Sequence, residues 1–176
     1  MTAPSDPAEL DFLSFVDYAV NRAGRELPEV DPVAMRLVLT LHRVTNALVY
    51  DLESSVHRPR GLTWPGFRVL FVLWHVGAAE AKRVAELSGM SRAAVSALIN
   101  TLERDGLVSR RQAEHDRRAV QLSLTPAGRE AVRSAFLAHN ERERAWVSPL
   151  TETESATLIG LLDKLMASGR TAKRRL

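Results

Sequence analysis

Three groups of residues in this 176-residue chain have types and spacings that could do chemistry. His139 and Glu143 stand four residues apart, on one face of any helix that carries them, a spacing that can hold a metal ion. Two ligands fall short of a site. The pair reads instead as an exposed histidine in a helix salt bridge, and no metal is predicted. Asp51, Ser54, Ser55 and His57 crowd into one short stretch and include hydroxyls, a base and a carboxylate. They fall around the end of a helix whose other residues pack, without the convergent nucleophile, base and oxyanion donors or the phosphate loop that an enzyme needs. They read as surface, and catalysis is not expected. The chain has no cysteine, which excludes disulfides, thiolate zinc sites, iron–sulfur clusters and cysteine nucleophiles. No cofactor is predicted. The third group is Ser91, Arg92, Ser96 and Asn100, followed by Asp116, Arg117 and Arg118. Arginine pairs with the O6 and N7 edge of guanine, asparagine with adenine, and serine can reach phosphate. This is binding chemistry, and its partner would be double-stranded DNA.

The segment from Ala81 to Gly106 can position that group. Ala85 is small where two helices would come closest, Gly89 can take the left-handed backbone of a tight turn, and Ser91 is placed to cap the next helix. Val95, Leu98, Ile99 and Leu102 form one apolar stripe of that helix. Projected at about 100° per residue, the opposite face shows Arg92, Ala93, Ser96, Ala97, Asn100 and Arg104. A helix laid in the major groove needs small residues for close approach and polar groups for base edges, so Ser91, Arg92, Ala93, Ser96 and Asn100 are the predicted contacts. Leu107 to Gln112 and Ala119 to Leu124 then pair as a hairpin with a polar tip at 113–118. An arginine of that tip, Arg117 or Arg118, suits the narrow, electronegative minor groove, with Asp116 holding it through a charge-assisted bond. Lys82, Arg110 and Arg111 would flank the site and touch the DNA backbone. Taken singly, the helix pair is also an ordinary helical hairpin with a solvated face, and the tip an ordinary solvated turn. Their succession in the chain favours DNA.

The remaining elements read as helices. Ser5-Asp6-Pro7 caps a short N-terminal one carrying Leu10, Leu13 and Val20; after the prolines at 28 and 32, Leu37, Leu41, Val44, Leu48, Leu52 and Val56 predict a long helix over 33–57. Thr63 and Pro65 open a helix through Val76 that is apolar almost all round. A short helix over 80–87 precedes the capped one. Thr125-Pro126 opens a helix to Val147, and Leu158, Leu161, Leu162 and Leu165 predict a last one over 153–167. The basic tail after Gly169 is expected to be disordered. Charge is uneven although the net is only +3: residues 1–32 carry seven acids and two bases, and residues 82–118 carry eight bases and five acids. An anion-facing middle segment has that signature. No membrane-length apolar run and no secretory signal occurs, so a cytoplasmic protein is expected.

The wing and its exit, Asp116-Arg117-Arg118-Ala119-Val120-Gln121-Leu122-Ser123-Leu124-Thr125-Pro126-Ala127-Gly128, resemble the Asp-x-Arg wing and Leu-Thr-x-x-Gly exit of the MarR family of bacterial transcriptional regulators (multiple antibiotic resistance regulator). Ser91-Arg92 opening a helix, and Leu102-Glu103 leading into Asp105-Gly106-Leu107-Val108, extend the match over about residues 63 to 130. The resemblance implies a mainly α fold, a winged helix-turn-helix with a two-stranded β wing and N- and C-terminal helices for dimerisation. It implies a homodimer on a pseudo-palindromic site, recognition by the helix carrying Arg92, Ser96 and Asn100, and Arg118 in the minor groove. It further implies a repressor released by a small, often aromatic or anionic effector. The division would be 1–62 for dimerisation, 63–125 for DNA, 126–168 for dimerisation and 169–176 as tail. Apolar surface on the long helices beyond what one winged lobe can cover supports the dimer independently.

Two departures narrow the resemblance. Relatives that sense oxidants use a cysteine, and this chain has none; the urate-sensing subgroup carries a Trp in its extra N-terminal helix, and here no Trp precedes Trp64. His42, Asn46, Trp64, Arg68 and Trp74 could line an effector pocket, although the tryptophans serve equally as core. Two other readings stay open, a winged-helix interaction module and an architectural DNA binder with little sequence choice.

Overall fold

The computed structural model describes residues 10–12, 14–112 and 120–173. Residues 1–51 and 52–176 form two compact units. In the first, α1 (Ser14–Glu26) begins where Asp11 Oδ1 accepts from the Ser14 amide at 2.7 Å, and α2 (Pro32–Leu52) begins where Asp31 Oδ1 accepts from Val33 and Ala34. Such caps satisfy amides that have no partner inside the helix. The expected cap at Ser5 to Pro7 lies outside the described residues. An Arg36–Asp17 ion pair and the Arg43 guanidinium, 5.5 Å from the centre of the Phe15 ring, link the two helices.

The long helix predicted over 33–57 ends early. After Leu52 one turn, Glu53–His57, is π-helical, and Arg58–Arg60 is a 3₁₀ turn closed by Gly61 with φ 71°. The Arg58 amide bonds to Glu53 O, the five-residue ladder of a π turn. That ladder stacks residues five apart, so Leu52 and His57 share a buried face and His57 is fully enclosed. The surface expected for His57 is therefore corrected to core.

The second unit is built around α3 (Trp64–Val76), where Thr63 Oγ1 accepts from the Gly66 amide and Pro65 occupies the first turn, as the sequence predicts. Phe67, Val69, Leu70 and Leu73 of α3 meet Val84, Val95, Ile99, Leu102, Val108, Leu122 and Val132 in one core. Around it run β1 (Ala79–Glu80), α4 (Ala81–Ser88), α5 (Arg92–Arg104), β2 (Val108–Gln112), β3 (Val120–Leu124), α6 (Pro126–Val147) and α7 (Glu152–Lys173). The sheet is antiparallel with order β1-β3-β2, three strands where a two-stranded hairpin was expected. The extra strand pairs Ala79 with Leu122 and is too short to show any alternation in sequence.

α6 is locked to the base of the wing. The Thr125 hydroxyl donates to Gly106 O at 2.7 Å and accepts from the Gly128 amide at 3.0 Å, while the Thr125 amide donates to Leu107 O. This gives the Leu-Thr-x-x-Gly sequence its physical sense. α7 continues to Lys173, past the end at 167 that the leucine spacing predicts, which corrects the expected disordered tail over 169–173. Leu158, Ile159, Leu161, Leu162, Leu165 and Met166 are all exposed on it. Among the described residues no helix is long and apolar enough to cross a membrane.

Candidate nucleic-acid interface

α4 and α5 are joined by a turn that the sequence dictates locally. Gly89 sits at φ 65°, and the Met90 amide closes back on Ala85 O at 3.1 Å. A glycine here avoids the cost of a left-handed backbone, and the closing bond satisfies a carbonyl at the end of α4. Arg68 of α3 donates to Ser88 O, tying the turn to the central helix. Ser91 Oγ accepts from the Ala94 amide at 3.2 Å, so the predicted cap is in place and the hydroxyl hydrogen is left for an outside acceptor.

α5 turns Val95, Ile99 and Leu102 into the core and leaves Leu98 half-buried. Its other face exposes Arg92, Ala93, Ser96, Ala97, Asn100 and Arg104, the six residues that the helical projection selects. The side chains of Arg92 and Ser96 have no hydrogen-bond or ion-pair partner among the described residues, nor do those of Lys82 on α4 and Arg111 on β2. Asp116, Arg117 and Arg118, the predicted wing-tip contacts, lie outside the described residues.

The structure brings two of the predicted residues together. Arg110 Nη2 donates to Asn100 Oδ1, and Arg110 Nη1 stands 3.2 Å from Glu103 Oε2. Sequence reasoning grouped Arg110 with Arg111 as flanking bases and missed this. The signal was available: neighbours on a strand point to opposite faces, and Arg110 has the parity of the buried Val108, on the side against which α5 packs.

The other polar cluster lies inside the core. His139, expected to be exposed, is buried, and its Nε2 stands 2.9 Å from Glu143 Oε1, which confirms the predicted pairing. Its Nδ1 is 3.2 Å from His57 Nε2. A carboxylate only accepts, so a neutral His139 ring donates from Nε2 to Glu143, and its Nδ1 accepts from the Nε2–H of His57. His57 Nδ1 is then a buried acceptor without a described partner. Trp64 stacks on His139 with rings 5.6 Å apart, and Phe67 lies 4.3 Å from the His57 ring. Of the residues considered for an effector pocket, Trp64 and Trp74 thus pack against the core; His42 and Asn46 are exposed on α2 and 3.4 Å apart.

Burial, and secondarily His139 and Arg60, lower the His57 pKa from 6.5 to about 4. The folded chain therefore holds His57 neutral where the unfolded chain binds a proton. Stability is fully present above pH 6.5 and is lost as pH falls through 6.5 toward 4. Unfolding in urea at pH 7 and pH 5 should show a loss of about 2 kcal/mol on acidification from this group. A His57→Phe chain should lose less over the same interval, and an equal loss would show that other groups carry it.

A two-helix unit with an exposed polar face, followed by an antiparallel wing, defines a winged helix-turn-helix protein. Known sequences place it more closely. The MarR family model matches residues 62–120. YwaE of Bacillus subtilis, described as an uncharacterised HTH-type transcriptional regulator, is 33% identical over 132 residues, covering 75% of this chain and 77% of that protein. BpsR of Bordetella bronchiseptica, whose DNA binding is regulated by 6-hydroxynicotinic acid, is 25% identical with a TM-score of 0.67, over 74% of this chain and 98% of that one. A mutant MarR of E. coli, solved in complex with operator DNA, shares the fold at 22% identity with a TM-score of 0.69, over 81% and 96%. This chain belongs to the MarR family, and it is a DNA-binding transcriptional regulator, not an enzyme.

Proposed function

We propose that the protein is a repressor that binds a pseudo-palindromic operator as a homodimer, with α5 in the major groove and the wing tip in the minor groove. The observation that carries this is the exposed face of α5: small residues at Ala93, Ser96 and Ala97 among Arg92, Asn100 and Arg104, with the side chains of Arg92 and Ser96 unengaged among the described residues. Small side chains let a helix approach the groove floor, and the free donors match guanine edges and phosphate. Ser91 joins them through its free hydroxyl hydrogen, and Lys82 and Arg111 supply contacts to the DNA backbone. Arg117 and Arg118, held by Asp116, serve the wing. In this scheme residues 63–125 read DNA, and residues 1–62 and 126–168 dimerise.

The unpaired apolar residues of α7 support the dimer. Six large side chains exposed on one helix would cost solubility in a monomer, and a second copy offers the same surface to cover them. Twofold pairing then sets half-sites about 34 Å apart. A Leu158→Glu, Leu162→Glu chain should sediment as a monomer and shift the operator at least about tenfold more weakly, because each half-site is then bound alone. A stable dimer with both glutamates would remove α7 from the interface.

A small aromatic acid is the proposed effector class, on the precedent of BpsR and 6-hydroxynicotinic acid. The decisive experiment is a mobility-shift titration of the upstream DNA of the protein's own gene, repeated with a panel of aromatic carboxylates. A retarded complex that a member of the panel releases supports repressor and effector together. A retarded complex that none releases removes the effector class and leaves the repressor. No preference for that DNA over random duplex overturns the repressor itself.

A further inference from the structure

The wing is anchored at its base and thinly supported beyond it. Val108, Leu122 and Leu124 sit in the core, and β1 pairs with β3 only at Leu122 and Gln121. Further out, Gln112 pairs with Val120, and Val120 is exposed. A two-stranded ribbon twists readily, and each residue outward adds about 3.3 Å of lever to any tilt at the base.

One side chain ties this ribbon to the recognition helix. Arg110 leaves β2 on the side of the buried Val108, its Nη2 donates to Asn100 Oδ1, and its Nη1 stands 3.2 Å from Glu103 Oε2. Among the described residues, no other side chain of β2 or β3 makes a hydrogen bond or ion pair with α5. Asn100 and Glu103 lie three residues apart on one face of the helix, so two nitrogens of a planar group are held along one turn, which fixes its orientation as a single contact would not. The pairing also explains an acid next to a face that meets phosphates, because Arg110 neutralises Glu103. Asn100 keeps a second lone pair on Oδ1 and both amide hydrogens, so no base-reading group is withdrawn from the face. We infer that Arg110, held by Glu103 and Asn100, is a positioning residue that sets the angle between the wing and α5, so that the wing meets the minor groove when α5 is seated in the major groove. This rests on the docking proposed above, and it moves Arg110 from a contact with the DNA backbone to a brace behind the two reading elements. The Arg110 and Glu103 side chains are 38% and 39% exposed, so water and salt screen the pair and the expected effects are severalfold, not hundredfold.

A double-mutant cycle tests the brace, with Kd measured for the full-length protein at one moderate salt concentration on a duplex that the wild type selects from random sequence. Arg110→Met should weaken binding about fivefold, the upper scale of a partly exposed pair. Arg118→Ala should then cost about fivefold less on top of Arg110→Met than it does alone, because the wing it acts through is already loose, whereas Arg92→Ala should cost the same in both backgrounds. Glu103→Ala repeats the cycle from the helix side if Arg110→Met fails to fold, and its sign is diagnostic. Removing a negative charge from a DNA-binding surface ordinarily tightens binding; here it should weaken binding about threefold. A merely structural role for Arg110 would lower the unfolding midpoint and leave the cost of Arg118→Ala as it was. An undiminished cost of Arg118→Ala in either background, or tighter binding by Glu103→Ala, overturns the inference while the docking stands. Arg118→Ala that is harmless by itself overturns the wing docking and the inference with it, and a failure to select any duplex overturns the DNA reading as a whole.

Discussion

A Gly128→Ala chain is expected to lose more than about 3 kcal/mol of unfolding free energy, the largest effect that a single added carbon should have in this protein. A Cβ at Gly128 would overlap the Leu107 carbonyl, with the carbonyl carbon only 2.9 Å away. The obstacle is backbone, and that backbone is fixed by the Thr125 amide bonded to the same carbonyl and by the Thr125 hydroxyl bonded to Gly106 O. The gain in helix propensity from glycine to alanine, about 1 kcal/mol, is too small to offset this. Urea unfolding should place the variant's midpoint far below that of the wild type. Gly160→Ala in α7, where nothing lies within 4 Å of the added carbon, should leave stability unchanged or raise it. A Gly128→Ala chain as stable as wild type would mean that α6 does not sit flush on the base of the wing.

Replacing Arg92 and Arg118 together by alanine is expected to weaken operator binding about a hundredfold or more. Each arginine to a base edge or groove is worth roughly 1–3 kcal/mol, and the two act in different grooves, so their losses should add. Two positive charges also leave the DNA-facing surface, so fewer counterions are released on binding, and the double variant should show a shallower fall in affinity between low and moderate ionic strength. Arg92 is exposed and unengaged among the described residues, so its removal should leave folding intact, which the unfolding midpoint checks. Unchanged operator binding at moderate salt would remove both residues from the site.

Where local chemistry decides, the sequence was legible. Thr63 with Pro65, Ser91, and Thr125 with Pro126 each cap the helix they were read to cap, because a side-chain oxygen two or three residues before free amides needs nothing distant to work. The stripe Val95, Ile99, Leu102 and the polar face opposite it follow from the helical period alone. What was missed depends on contacts across the chain. His57 continues an apolar series that reads as an α-helix; only the wider π turn brings it under Trp64 and Phe67, beside His139 from a helix more than eighty residues later. β1 exists because β3 pairs with it. Arg110 looked like one of two flanking bases until strand parity and the packing of β2 on α5 set it against Asn100 and Glu103.

The proposed function stands or falls on whether the polar face of α5 reads sequence. Its most direct test is the affinity of the wild-type protein, at one moderate salt concentration, for the duplex upstream of its own gene and for a shuffled duplex of the same length and composition. Binding at least about a thousandfold tighter to the upstream duplex is the predicted result. Equal affinities would contradict it.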